Sequence, residues 1–228
     1  MVNTIIQQSM LRKAKTEGVI DFDVVDLRDF GQGNYRQIDD TPYGGGGGMV
    51  LMAEPLFAAL DHAIANIGAS TNLRIIYPSP QGLQWSQDAA QENSSLENLI
   101  FICGHYKDID HRVIDKYVTH EYSIGDYVVT SGEIPTMIMI DSIVRLLPGV
   151  LNNFDSAKTD SFFSESLLDA PYYTKPKKID GLSVPEVLMS GNHEKIAAWR
   201  EDERIHRTEV KRPDLAHARA KKLESLEN

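Results

Sequence analysis

Three stretches of the chain carry an apolar run into a corner rich in glycine, proline or serine: YPSPQG (77–82), ICGHY (102–106) and YSIGDYVVTSGEIP (122–135). Parallel α/β sheets bind ligands at the carboxyl ends of their strands. Three such corners lining one crevice would offer bare backbone N–H and C=O groups, which suit a flat heterocycle such as adenine. Taken singly, each is equally an ordinary strand-end turn. A further signal is YGGGGGM (43–49). Five successive glycines cannot form a helix or a packed strand, because fixing them costs too much backbone entropy. The run is either a flexible loop or a backbone free to wrap a ligand. Phosphate-loop chemistry needs Gly-Lys-Ser/Thr at its end, whereas Met49 and Val50 follow here. A dinucleotide fingerprint needs spaced glycines directly after a strand, and these are absent too.

Other reactive side chains are scattered. His105 and His111 flank Asp108 and Asp110, but a spacing of six puts the two histidines on opposite faces of a helix, so no metal site is expected from them. Cys103 stands inside an apolar run and reads as a small buried hydrophobe. As the one cysteine of the chain, it excludes a disulfide framework within the chain and any multi-cysteine zinc site. Arg145 stands on an apolar helical stretch, where a cation either snorkels or pairs with an anion in a site. Asp160 and Asp169 sit in a polar stretch, and such carboxylates are solvated unless the fold closes the stretch over a site.

The elements that must position these groups alternate. Residues 3–17 read as a helix and VIDFDVVDL (19–27) as a strand. A helix over 55–67 leads to the short strand LRIIYPSP (73–80), which Pro78 and Pro80 are expected to end. A polar helix over 86–97, the strand LIFICG (99–104), a helix over 110–117, mixed strand and loop over 121–129, and an apolar helix over 133–147 complete the series. Near-continuous apolar strands between helices predict an α/β fold with a mainly parallel sheet. Residues 152–170 are polar and aperiodic, hence a linker, and 183–226 are helical by pattern. The expected organisation is an α/β domain over 1–151, a linker over 152–170 and a helical domain over 171–228.

Composition fits this division. At 228 residues with 42% hydrophobic content the chain can bury a core. Its net charge of −10 is uneven. Residues 171–228 hold 12 Lys and Arg against 10 Asp and Glu, and residues 1–170 hold 11 against 23. An acidic body with a relatively basic tail is the pattern of a small-molecule site joined to a surface for a polyanion, or simply of two differently solvated surfaces. No apolar run reaches membrane-spanning length and the N-terminus lacks a signal-peptide pattern, so a cytoplasmic protein without membrane contact is expected.

Read together, the corners resemble those of one family, the bacterial tRNA (guanine-N1)-methyltransferases of the TrmD type in the SPOUT superfamily. The similarity runs nearly end to end through DDTPYGGGGGMVL (39–51), SPQG (79–82), FICGHY (101–106), IDHRV (109–113), EYSIGDYVVTSGEIP (121–135), IVRLLPGVL (143–151), LLDAPYYTKP (167–176) and VPEVLMSGNHEKIAAWR (184–200). The resemblance implies a parallel sheet with a deep trefoil knot plus a small C-terminal helical domain. It also implies methylation of the guanosine 3′ of the tRNA anticodon (guanosine-37), with S-adenosylmethionine as cofactor, and a homodimer with shared active sites. Tyr77, Ser79, Pro80, Gly82, Gly104, Ser123, Ile124, Gly125, Tyr127, Val129 and Pro135 look like its cofactor pocket. Asp160 resembles its general base, Arg145 the arginine that assists the guanine, and Asp169 a nearby acidic position toward the target base.

Three departures stand out. The family usually opens on a strand running through Leu-Phe-Pro-Glu-Met-Phe, and this chain starts where that motif ends, so one strand is expected to be missing or the start to lie upstream. The family reads Tyr-Glu-Gly where this chain has Tyr106-Lys107-Asp108. Lys107 reverses the charge of a glutamate linked to a magnesium requirement, and so puts magnesium in question. Ser131 replaces a usual glycine. These departures motivate the competing reading, a tRNA- or cofactor-binding paralogue that no longer turns over.

Overall fold

The structure is a computed structural model and describes residues 1–68, 72–151, 155–163 and 166–226. It divides into two compact units, Met1–Asn152 and Asn153–Asn228.

The first unit is a mixed α/β layer structure. Helices α1 (Val2–Ile5) and α2 (Ser9–Thr16) precede strands β1 (Asp39–Asp40) and β2 (Val50–Leu51) and helix α3 (Ala53–Ile67). Strand β3 (Leu73–Gln84), helix α4 (Gln87–Ser94), strands β4 (Asn98–Phe101) and β5 (Asp108–Ile109), helix α5 (His111–Tyr117), strand β6 (His120–Ser123) and helix α6 (Glu133–Val144) follow. The main sheet has the order β4-β3-β6 and is parallel throughout. A smaller sheet, β1-β2-β5, pairs β2 with β5 in parallel.

Successive residues of β3 serve opposite faces, as the pleat requires. Ile75 and Tyr77 join Leu56 and Leu60 of α3 and Val113 of α5 in one core, while Ile76 joins Tyr122 and Met139 in another. With both faces covered, alternation of polar and apolar residues has no place, which is why LRIIY reads as a continuous apolar run. Helix α6 is mainly apolar, with Glu133, Thr136, Asp141 and Ser142 as its polar residues. Met139 meets the sheet, and Met137 and Val144 meet Ile6, Leu11 and Ala14 of the N-terminal helices. Side-chain caps fix the helix starts beside the corners. Ser86 Oγ accepts from Ala89 N at 3.2 Å, and Asp110 Oδ1 from Arg112 N at 3.0 Å.

Three expected elements differ. Residues 19–26 form no strand. Val19, Ile20 and Phe22 instead pack as separate apolar contacts against the N-terminal cluster, so their alternation reflects one-sided burial without a pairing partner. The helix expected over 3–17 is broken between Ile5 and Ser9. Strand β3 does not stop at its prolines but runs on to Gln84. Tyr122 of β6 faces both Pro78 and Leu83, so residues 79–82 loop out as a bulge, where Pro80 loses no ladder bond.

The second unit holds helix α7 (Asp155–Lys158), a hairpin of β7 (Lys178–Ile179) and β8 (Leu182–Ser183), and helices α8 (His193–Lys211) and α9 (Pro213–Leu226). Asn192 caps α8 by accepting from Lys195 N at 3.0 Å. Pro213 opens α9 at the one position where a missing N–H costs nothing.

Candidate active site

The three corners converge on one cleft of about 120 Å³ in the first unit. Its walls are 77–80 from β3, 104–108 from the segment between β4 and β5, and 122–135 from β6 to the start of α6, with 126 and 133–134 standing aside. Tyr77, Ser79, Pro80, Gly104, Ser123, Ile124, Gly125, Tyr127, Val129 and Pro135 all line it. Gly82 does not. A Cβ there would lie 2.3 Å from the Glu121 carbonyl carbon, so Gly82 lets two backbone segments cross in contact behind the cleft. Gly132 does the same. It donates to Gly104 O at 2.7 Å, and a Cβ would lie 2.5 Å from Gly104 N. Gly125 takes a positive φ of 138° and is held by Ser123 Oγ, which accepts from its N–H at 3.1 Å.

Several of the cleft's polar groups are paired. Tyr77 OH donates to Asp108 Oδ1 at 2.7 Å. Burial first, and then this bond, hold the Tyr77 phenol neutral far above its ordinary range. His105 meets Glu133 Oε1 at 2.6 Å at the first residue of α6. Burial, the largest single influence, would push the Glu133 carboxyl up, but hydrogen bonds with His105, Ser131 and its own backbone N–H together outweigh it and the group lies below its ordinary value. Cys103 lies behind the wall, its thiol raised by burial and 3.5 Å from Thr136 Oγ1, which suits a packing role. The polyglycine stretch stays outside. Open space surrounds Gly44 to Gly47, and only Gly48 nears another residue, Lys107. Among the described residues no three His, Cys, Asp or Glu side chains gather as a metal site would need.

The chemistry of this lining fits an S-adenosylmethionine-like ligand. Apolar Ile124, Val129 and Pro135 can sandwich a heterocycle, and glycine corners expose backbone groups for its ring nitrogens. Lys107 offers a cation to a carboxylate.

Arg145 lines a different cavity of the first unit, about 480 Å³, with Ile5, Gln87, Ile134, Met137, Ile138, Asp141 and Ser142. It is the residue that closes α6, not one within it.

Asp160 and Asp169 belong to the second unit, where the segment around them is folded on itself. Asp169 N donates to Ser161 Oγ at 2.9 Å and Phe162 N to Leu167 O at 2.9 Å, which ties Asp169 to the residue that follows Asp160. The Asp169 carboxylate accepts from Ala170 N and from Tyr172 OH, both at 2.6 Å. Thr208 of α8, fully buried, accepts from Leu168 N at 2.9 Å and so pins this segment to the helix. Sequence reasoning missed Asp108, Tyr172 and Thr208 as supports. The bonds of Asp108 to Tyr77 and of Thr208 to Leu168 join positions whose closeness only the fold creates, whereas Tyr172 lies three residues from Asp169; a lone Thr in a charged helix is the one signal that could have pointed to Thr208.

Comparison with known proteins gives the family. A family model described as tRNA (Guanine-1)-methyltransferase TrmD matches residues 1–218. The tRNA (guanine-N(1)-)-methyltransferase of Staphylococcus carnosus is 47% identical over 215 residues, 94% of this chain and 86% of that protein. The proteins of the same name from Lacticaseibacillus paracasei and Clostridioides difficile are 50% and 45% identical over 210 and 213 residues. These cover 92% and 93% of this chain, and 81% and 91% of the relatives. The chain belongs to the tRNA (guanine-1)-methyltransferase family.

Proposed function

We propose that the chain methylates N1 of the guanosine 3′ of the tRNA anticodon, position 37, and that it works as a homodimer with shared sites. Family membership across nearly the whole chain carries the reaction. The observation that carries the binding site is the convergence of three corners on one cleft. S-adenosylmethionine bound there supplies the methyl group as a sulfonium. Tyr77, Ser79, Pro80, Gly104, Ser123, Ile124, Gly125, Tyr127, Val129 and Pro135 hold it. Gly82 serves the crossing behind them, and backbone passage at contact distance is what threading one loop through another in a trefoil knot requires.

Guanine N1 bears a proton and is a poor nucleophile until it leaves. The Asp160 carboxylate takes that proton and leaves on N1 the electron pair that would accept the methyl group of bound S-adenosylmethionine. Negative charge spreads to O6, where Arg145 stabilises it. Asp169, held by Tyr172 and Ala170, orients the base. A dimer is supported by the cavity beside Arg145, where the apolar side chains of Ile134 and Ile138 stand 41% and 45% exposed one helical turn apart. The helical unit beyond residue 170, with its basic excess, takes the tRNA. Magnesium is left outside the proposal, since Lys107 puts a cation where a metal's carboxylate would be needed.

The test is labelled methyl transfer to two tRNA transcripts, one with guanosine and one with adenosine 3′ of the anticodon. Methylation of the first alone is expected. Tight binding of S-adenosylmethionine and tRNA with no transfer would favour the non-catalytic paralogue.

A further inference from the structure

Among the described residues, Asp108 is the one carboxylate that lines the cleft. One of its oxygens is committed. Oδ1 accepts from Tyr77 OH at 2.7 Å and from Ile109 N at 2.7 Å. The tyrosine cannot move away, because it is 5% exposed and its hydroxyl lies against Gly104, where even a Cβ would come within 2.9 Å. The other oxygen, Oδ2, makes no hydrogen bond among the described residues. Asp108 is thus a rigidly anchored carboxylate with a spare acceptor in a cleft suited to a nucleoside.

We infer that Asp108 recognises the ribose of the bound cofactor, Oδ2 accepting from a hydroxyl of its 2′,3′-diol. This rests on the reading of the cleft as the S-adenosylmethionine site. Two donors in that cofactor could meet a carboxylate, the ribose hydroxyls and the ammonium of its amino-acid end. Lys107 is the next residue and lines the same cleft. A cation there repels an ammonium but is indifferent to a neutral diol and attracts the cofactor's carboxylate. Carboxylates are the usual acceptors for ribose hydroxyls in nucleotide sites, because they accept at two oxygens without offering a competing donor. The role differs from that of the backbone groups, which read the heterocycle. Asp108 makes the site demand a ribonucleoside.

The experiment is calorimetry with S-adenosylhomocysteine and its 2′-deoxy, 3′-deoxy and deaminated analogues. It is run on the wild-type chain and on Asp108→Asn and Asp108→Ala, each checked for an unchanged melting temperature. Loss of one of the two hydroxyls should weaken wild-type binding about tenfold or more, as expected when a charged acceptor loses its partner. In both variants the same loss should cost less than twofold, because the acceptor is already gone. Asn keeps an oxygen for Tyr77 but replaces the spare acceptor with a donor, so it should behave like Ala. If Asp108→Asn binds like wild type, Asp108 acts only through Tyr77 and the inference fails. It also fails if hydroxyl loss costs the same with and without Asp108, or if loss of the amine is what couples to it. Failure of the wild-type chain to bind S-adenosylhomocysteine at all would instead overturn the reading of the cleft.

Discussion

In Met1–Asn152 the buried residues gather in three apolar clusters, and glycines at 82, 104 and 132 sit where any side chain would strike a neighbour. In Asn153–Asn228 the described residues bury only Ala157, Leu167, Ala170 and Thr208. Glycines 181 and 191 there have open space around them. A tight core holds backbone groups in place to within tenths of an ångström, as recognition of a small ligand demands. A pair of long helices with charged faces tolerates adjustment and suits a large polyanion. The proposed separation of tasks rests on this difference in packing, and a set of substitutions can break it.

The largest effect should come from crossing one lesion in each unit. Gly125→Val fills the cofactor cleft and Asp160→Ala removes the proposed base. Each homodimer should lose at least about a hundredfold in methyl transfer, but only Gly125→Val should lose cofactor binding. Dissociated and reassociated together, the two chains form mixed dimers at up to about half of all dimers if assembly is random. In a shared site each mixed dimer has one intact pocket facing one intact Asp160. Activity should return to roughly a quarter of wild type. Sites built within single chains would give no recovery, provided mass-tagged chains confirm that mixing occurred.

Stability should separate the units next. Gly82→Ala forces a Cβ to 2.3 Å from the Glu121 carbonyl carbon, and backbone must move. A loss of about 3 kcal/mol in denaturant unfolding is expected, the upper range for overpacking. Gly191→Ala meets no atom within 4 Å and suffers only from its φ of 69°. About 1 kcal/mol is expected there. Equal losses would mean that the two units are packed alike.

What could be seen in the sequence depended on whether the physics was local. LRIIY announced a buried parallel strand because two-sided burial writes itself into consecutive residues, whereas LIFICG, expected as a second buried strand, pairs only as far as Phe101 and lies half-buried at the sheet edge. The extent of α3 was equally plain from its apolar spacing. The passage of β3 through Pro78 and Pro80 was hidden, since proline's usual effect assumes a regular ladder and the bulge removes that ladder. The region 19–27 misled because alternation reports burial of one side, not the presence of a partner strand. For the site, the corners could be named but not brought together. The Tyr77–Asp108 bond spans 31 residues and the Leu168–Thr208 bond 40, and neither residue type announces its partner.

The smallest effects should appear in tRNA affinity, charge by charge. The candidates for phosphate contact beyond residue 170 are Lys175, Lys177, Lys178, Lys211 and Arg212, and their surroundings differ. Arg212 forms a two-pronged pair with Asp214, at 2.9 Å and 2.7 Å, which lowers the aspartate below its ordinary range and raises the guanidinium. The positive charge there is already half spent on a neighbour. Lys177 and Lys178 stand exposed at the hairpin. Each phosphate contact that releases a counterion adds about 0.7–0.9 to the slope of log affinity against log salt. Lys177→Gln and Lys178→Gln should each flatten the slope by about that much. Arg212→Gln should change it less, because Asp214 already holds that guanidinium and leaves it less to give to a phosphate. Asp214→Asn should do the reverse, freeing Arg212 to steepen the slope. If all three cation replacements left the salt dependence untouched while methyl transfer persisted, the tRNA would be held elsewhere, and the division of labour between the units would fail on the helical side.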